Sequence, residues 1–366
     1  MRAFLMRLVT TFLTSRAWRD WRRTAHALRR KLKGAEPTVY YFHQSDDPYS
    51  HLTVQLVAKL KSRYRIKLIA QLVSAPDDAA APERKKLKHY ALRDAARVAH
   101  QYALTFVANA KLPHSSRVDQ AAAALVATIK DETFAEIAPQ ISAALWSENA
   151  DLLASFATDE AGVSEALAAG DKNRKTLGHY LSAMLYFEGE WYWGVDRLHH
   201  LEKRLKEIGL DTAPPDTPML AGFRGLSLAT KPASKSKPVI EYWFSFRSPY
   251  SCISARRMWK LARHYDCELQ LRFILPMVMR GLPVPPNKRM YIMLDTKREA
   301  ECVGEPYGTI VDPVGAGAAR ALAVLHHAIP LGHGEAFAEL GFVVVAHEIA
   351  VLDHLAVINN IGCLVL

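Results

Sequence analysis

Residues 39–43 and 239–246 are runs of β-branched and aromatic side chains bounded by polar residues and proline, and each predicts a buried strand. Asp47 and Ser248 follow as good N-cap residues, and Pro48 and Pro249 suit the first helical position. Beyond them Leu52, Leu56 and Leu60, and Ile253, Met258 and Leu261, recur at the spacing of one helix face. Second apolar strands are expected at 66–73 and 268–275. Each half therefore opens with a βαβ unit, which favours parallel pairing.

The two openings are in register. A constant offset of 201 pairs Tyr41 with Tyr242, Pro48 with Pro249, Tyr49 with Tyr250, Ser50 with Ser251 and Tyr64 with Tyr265, and it still pairs Tyr90 with Tyr291 and Asp94 with Asp295. A period this long means two whole domains rather than a solenoid, and 366 residues exceed what one core normally supports. Residues 211–238 contain Pro214, Pro215, Pro218, Pro232 and Pro238 with a Lys/Ser run, the composition of a semi-rigid linker. The expected organisation is an arm at 1–36, a first domain at 37–210, a linker at 211–238, a second domain at 239–340 and an apolar tail at 341–366.

Charge changes this picture at one end only. The net charge is +10, and residues 1–35 hold ten Lys or Arg against Asp20 alone, which accounts for +9 of it. The near-neutral remainder gives no support for a nucleic-acid-binding surface. Phe4, Leu5, Leu8, Phe12, Leu13, Trp18 and Trp21 among those arginines are compatible with a basic amphipathic helix, either packed on its own domain or in weak contact with a membrane surface. As an arm it is expected to be dispensable for folding. Arg7 interrupts the apolar run of a secretory signal and no stretch is a convincing span, so the expected location is cytoplasmic. Cys252, Cys267, Cys302 and Cys363 have no C-x-x-C spacing, and His347-Glu348 lacks a second histidine where a zinc helix would place one, so neither a disulfide scaffold nor a metal site is expected.

A Ser-Pro or Asp-Pro helix start requires no more than a cap. Its setting carries more: strand, Ser248-Pro249-Tyr250-Ser251, helix and second strand, then a helical section from Pro286 to Lys297, resemble the 2-hydroxychromene-2-carboxylate isomerases and kappa-class glutathione transferases. Both belong to the DsbA-like branch of the thioredoxin fold. The resemblance implies an α/β chain of two tandem thioredoxin-like domains with helical insertions, the second lacking its closing hairpin. It also implies glutathione as cofactor. Ser248 would then hydrogen-bond the glutathione sulfur, with Pro249, Tyr250, Ser251 and Lys288 around it, and residues 184–198 would be the closing hairpin and the G-x-D-R-L segment, whose Asp196, beside Arg197, recognises the glutathione amino end. A hydroxyl donor at a helix N-terminus would hold that sulfur as thiolate.

The first copy departs from the pattern where it matters. Asp47 replaces the serine ahead of Pro48, Tyr49 and Ser50, Leu87 replaces Lys288, and Ser182 or a neighbour stands where the family has a cis-proline. A carboxylate beside a thiolate opposes it. The second copy has the serine, but its resemblance ends at Leu340, and residues 321–366 contain no Lys or Arg. The implied activity is a glutathione-dependent isomerase or transferase acting on a small aromatic or conjugated substrate, with Ser248 as the catalytic residue. A DsbA-like thiol-disulfide oxidoreductase and a non-catalytic double-domain binding protein are the alternatives, and homo-oligomerisation stays open.

Overall fold

The computed structural model describes residues 2–156, 161–230, 237–305, 307 and 316–334. Contacts divide the chain into a first unit, Trp21–Arg224, and a second, Met1–Asp20 with Gly225–Leu366. Both are mixed α/β. In chain order the elements are α1 (Arg2–Leu13), α2 (Arg16–Leu32), β1 (Thr38–His43), α3 (Pro48–Arg63), β2 (Lys67–Leu72), α4 (Arg84–Tyr102), α5 (Ser115–Lys130), α6 (Phe134–Trp146), α7 (Ala150–Ala154), α8 (Val163–Thr176), β3 (Met184–Phe187), β4 (Glu190–Trp193), α9 (Leu198–Glu207), β5 (Val239–Phe244), α10 (Pro249–Tyr265), β6 (Glu268–Phe273), α11 (Pro286–Val303) and α12 (Ala316–Ala328).

The first unit opens with β1-α3-β2, inserts five helices, and closes with the β3-β4 hairpin and α9. Its sheet runs β2-β1-β3-β4, with β1 and β2 parallel from Thr38 opposite Lys67 to His43 opposite Leu72, and the other pairs antiparallel. Tyr41, Leu56, Leu60, Ile141, Leu145, Leu185 and Leu201 share one core. Because β1 is paired on both edges, its alternate residues are buried from either side, and Val39, Tyr41, Phe42 and His43 have no accessible surface.

Two segments read from the sequence as a basic arm and a semi-rigid linker are fastened to this unit. The arginines of α2 face the closing hairpin: Arg23 makes two 2.9 Å bonds to the Glu190 carboxylate, Arg30 reaches Glu188 at 2.6 Å, and Arg22 donates to the Gly189 carbonyl at 2.9 Å. Gly189 has φ +86°, and a Cβ there would lie 2.5 Å from His26 Nε2, so the turn needs glycine both for its backbone and for the helix above it. Arg204, almost fully buried on α9, shares Glu188 at 3.1 Å. The expected linker is held in the same way over its first half. Asp211 pairs with Arg63 at 2.9 Å, Arg63 also donates to the Thr217 carbonyl at 3.1 Å, and the buried Glu202 carboxylate accepts the Leu220 and Ala221 amides at 2.8 and 3.0 Å. Backbone polar groups that leave water need such partners, and these side chains supply them where the segment runs in toward the buried Ala221.

The second unit repeats the opening: β5 and β6 pair in parallel from Val239 opposite Glu268 to Phe244 opposite Phe273. Both partners are displaced by 201 from those of β1 and β2. Tyr242, Phe244, Phe246, Trp259, Leu322 and Leu325 form its core. Among the described residues its sheet has two strands. The tail at 341–366 lies outside them. No helix among the described residues is long and apolar enough to cross a membrane.

Candidate functional site

The turn between the first strand and first helix is built from the same hydrogen bonds in both units. In the first, the Asp47 amide donates to the Gln44 carbonyl at 3.2 Å, the Gln44 amide to Ser50 Oγ at 3.2 Å, and the Tyr41 hydroxyl to the Ser50 carbonyl at 3.0 Å. In the second, the Ser248 amide donates to the Ser245 carbonyl at 2.9 Å, the Ser245 amide to Ser251 Oγ at 3.3 Å, and the Tyr242 hydroxyl to the Ser251 carbonyl at 2.7 Å. Tyr49 donates to Asp94 at 2.7 Å, as Tyr250 does to Asp295 at 2.7 Å, tying each helix start to the helix after the second strand. Every one of these partners is displaced by 201. Asp94 and Asp295 stand out in the sequence as a matched pair, and Asp295 also as part of the Y-x-x-x-D-x-K pattern of Tyr291 to Lys297; the two tyrosine hydroxyls give them their place.

The cap residue differs. Asp47 is a half-buried carboxylate that accepts the Tyr49 amide at 3.3 Å, the Ser50 amide at 3.0 Å, Ser50 Oγ at 2.8 Å and Ser182 Oγ at 3.0 Å. Burial raises its pKa, and the serine hydrogen bonds pull the other way. The Ser182 position, where the resemblance would place a cis-proline, is thus turned into the cap. No peptide among the described residues is cis, and Ala183 instead adopts φ +53° with its amide on Ser50 Oγ at 3.1 Å. Beside it, burial pushes His43 down to about 3 and His51 down to about 4. His43 Nδ1 bonds the Tyr41 hydroxyl at 3.0 Å, while His51 is held by Ser142 at 2.8 Å and by the Thr105 carbonyl at 3.1 Å.

A small cleft lies at this helix start, lined by Tyr49, Leu52, Asp94, Trp193, Gly194 and Asp196. Asp196 is paired with Arg197 at 2.8 Å. The two hairpin residues carried over by the resemblance therefore belong, by contact, to the site headed by Asp47-Pro48-Tyr49-Ser50.

Ser248 caps α10 by accepting the Ser251 amide at 3.3 Å. Acting as acceptor leaves its hydroxyl proton available for donation. Lys288 is half-buried near the start of α11, and burial lowers its pKa. Asp295 is buried and also takes Arg298 at 3.2 Å. The nearest cysteine, Cys252, has a thiol raised to about 11 by burial and by the Glu305 charge.

No family model matches the chain, and no curated protein matches it. Among solved structures it is similar to a 2-hydroxychromene-2-carboxylate isomerase, at 16% identity and a TM-score of 0.38, over 47% of this chain and 95% of that one.

Proposed function

We propose that the chain is a duplicated DsbA-like thioredoxin-fold protein of the 2-hydroxychromene-2-carboxylate isomerase and kappa-class glutathione transferase kind. In this reading the second unit carries the chemistry at Ser248, and the first keeps the frame with its site closed by Asp47. The observation that carries it is the recurrence, at one fixed offset, of the strand register and of the hydrogen bonds around each helix start, with the cap residue itself exchanged.

The residues present fit a thiolate ligand. Ser248 offers an O–H beside the positive end of a 17-residue helix, where a negative charge is stabilised. Lys288 is a cation partly withdrawn from water, and an anion placed beside it would oppose the lowering of its pKa by burial. Glutathione, when bound, would supply the nucleophilic sulfur for isomerisation or transfer on a small conjugated or aromatic substrate. The chain's own part is to lower the proton affinity of that sulfur and to fix its position at the helix start. In the first unit the same place holds a carboxylate, which repels a thiolate and is already satisfied by four donors.

Dithiol exchange is disfavoured by the same geometry. Ser248 and Ser251 occupy the two positions that would need cysteine, and a Cys252 thiol held near 11 is protonated at neutral pH.

The test is glutathione titration with calorimetry, alongside the thiolate absorbance of the bound cofactor. Losing one hydrogen bond to a charged sulfur is worth about 1.5–3 kcal/mol, so Ser248→Ala should weaken binding roughly 10- to 150-fold and raise the thiol pKa. Asp47→Ala should leave both unchanged. Equal losses in the two variants, or glutathione binding unaffected by Ser248→Ala, would remove the assignment.

A further inference from the structure

The helix α2 is docked the wrong way round for an amphipathic surface helix. Its charged side faces the protein: over the part that belongs to the first unit, Arg22, Arg23 and Arg30 engage Gly189, Glu190 and Glu188. Its apolar side faces out. Trp21, Leu28 and Leu32 are 60, 56 and 80% exposed. At about 100° per residue these three lie within roughly 40° of one another on the helix surface, with Ala25 at their edge. Arg29 and Lys31 flank that stripe on its two sides, and Lys33 follows; all three are exposed. From Trp21 to Lys33 there is no acidic residue.

We infer that this outward face of α2 binds an anionic lipid surface. Exposing Trp and two Leu beside one another costs free energy in water, whereas at a bilayer interface the indole sits at headgroup level and the leucines enter the acyl boundary. The basic side chains sit where lipid headgroups would meet them, and the inward arginines, spent on Glu188 and Glu190, hold the helix flat instead of contributing to the contact. A second copy of the chain is a poor occupant for the same face. It would set Arg29, Lys31 and Lys33 against their own equivalents, and a 13-residue stretch is short of the roughly 800 Å² per partner that a stable dimer buries. This inference does not depend on the chemistry at either helix start.

The test is co-sedimentation of the full chain with vesicles of phosphatidylglycerol and phosphatidylcholine, against phosphatidylcholine alone. Binding is expected only with the anionic lipid, and it should weaken as salt rises from about 0.1 to about 1 M. Arg29→Ser/Lys31→Ser/Lys33→Ser should lose about 100-fold, near fivefold for each basic side chain. Leu28→Glu/Leu32→Glu should abolish binding while leaving the thermal midpoint in place, because neither side chain enters the core. Brominated lipid gives a second reading that needs no disruptive variant: it should quench the wild type more than Trp21→Phe. Equal quenching of the two, equal binding to neutral vesicles, or vesicle binding retained by the double Leu variant would overturn the inference. So would a dimer in the absence of lipid that the same variant dissolves.

Discussion

Phe42 and Trp243 occupy one position in two copies of the same strand, yet Phe42 is fully buried and Trp243 is 59% exposed. The backbone around them does not account for the difference, since both strands pair with their parallel neighbours in the same register. What covers Phe42 is the closing hairpin: Met184 pairs with it across the strands, and the Trp191 ring lies 5.3 Å from its own. In the second unit, among the described residues, β5 has β6 alone. The comparison separates two things that a repeated sequence phrase merges. A βαβ frame is set locally, by strand pattern, cap and turn hydrogen bonds, whereas the burial of its residues is set by whatever arrives later in the chain.

The largest expected effect follows directly. Phe42→Ala removes a fully buried aromatic and should cost the first unit about 3–5 kcal/mol, while Trp243→Ala should cost the second under about 1 kcal/mol. Denaturant unfolding of both variants checks this, and equal losses would mean that Trp243 is covered in solution.

Acid should divide the units next. His43 and His51 stand where the second unit has Phe244 and Cys252. Both histidines are buried neutral, at about 3 and about 4, so the unfolded chain, with histidine near 6.5, takes up protons that the folded one refuses. Their contribution is complete above pH 6.5 and is lost as pH falls through 6.5 toward those values. Each is worth about 2 kcal/mol between pH 7 and pH 5. The raised Asp47 carboxyl acts in the opposite sense, since a proton it binds more readily when folded favours folding on acidification. Melting temperature against pH should therefore fall more steeply for the wild type than for His43→Phe. An unchanged slope would show that His43 gains a proton in the native state.

The thiol comparison is smaller. Cys252 lies within the first turn of α10, a position that ordinarily promotes a thiolate. Burial reverses this and holds it near 11, well above a free cysteine. Alkylation at pH 8, followed by peptide mass analysis, should find Cys252 about 100-fold slower than a free cysteine peptide. A rate at or above that of the peptide would reopen the oxidoreductase reading.

What the sequence reveals and conceals follows the same division. The strands at 39–43 and 268–275, the caps at Asp47 and Ser248 and the matched Tyr49 and Tyr250 are legible because each depends on neighbours within a few residues. The Asp94 and Asp295 contacts were half legible, as a matched pair without a partner. The bond from Ser182 to Asp47 spans 135 residues, and no periodicity announces it. The docking of α2 was hidden for a different reason. Its strong amphipathic pattern says that one face is charged but not that this face is the inner one, which depends on two glutamates some 160 residues away at the hairpin turn.

The smallest effect tests the cap itself. Asp47 and Ser248 both accept an amide at the helix start, so either can serve as an N-cap, and exchanging one good cap for another should change stability by only a few tenths of a kcal/mol at an exposed site. Asp47 is not exposed. Asp47→Ser leaves the Ser50 amide bonded but takes the acceptor away from both the Ser50 and the Ser182 hydroxyls, and a buried hydroxyl without a partner costs about 1–3 kcal/mol. Against this, a carboxylate no longer has to be kept from water, the same desolvation that raises its pKa. The opposing terms should leave Asp47→Ser about 1 kcal/mol less stable, and adding Ser182→Ala, which deletes one of the two orphaned hydroxyls, should recover part of the loss. If the double variant is no more stable than the single one, Ser182 is not bonded to Asp47 in solution. The cap would then differ between the units without having closed the first one.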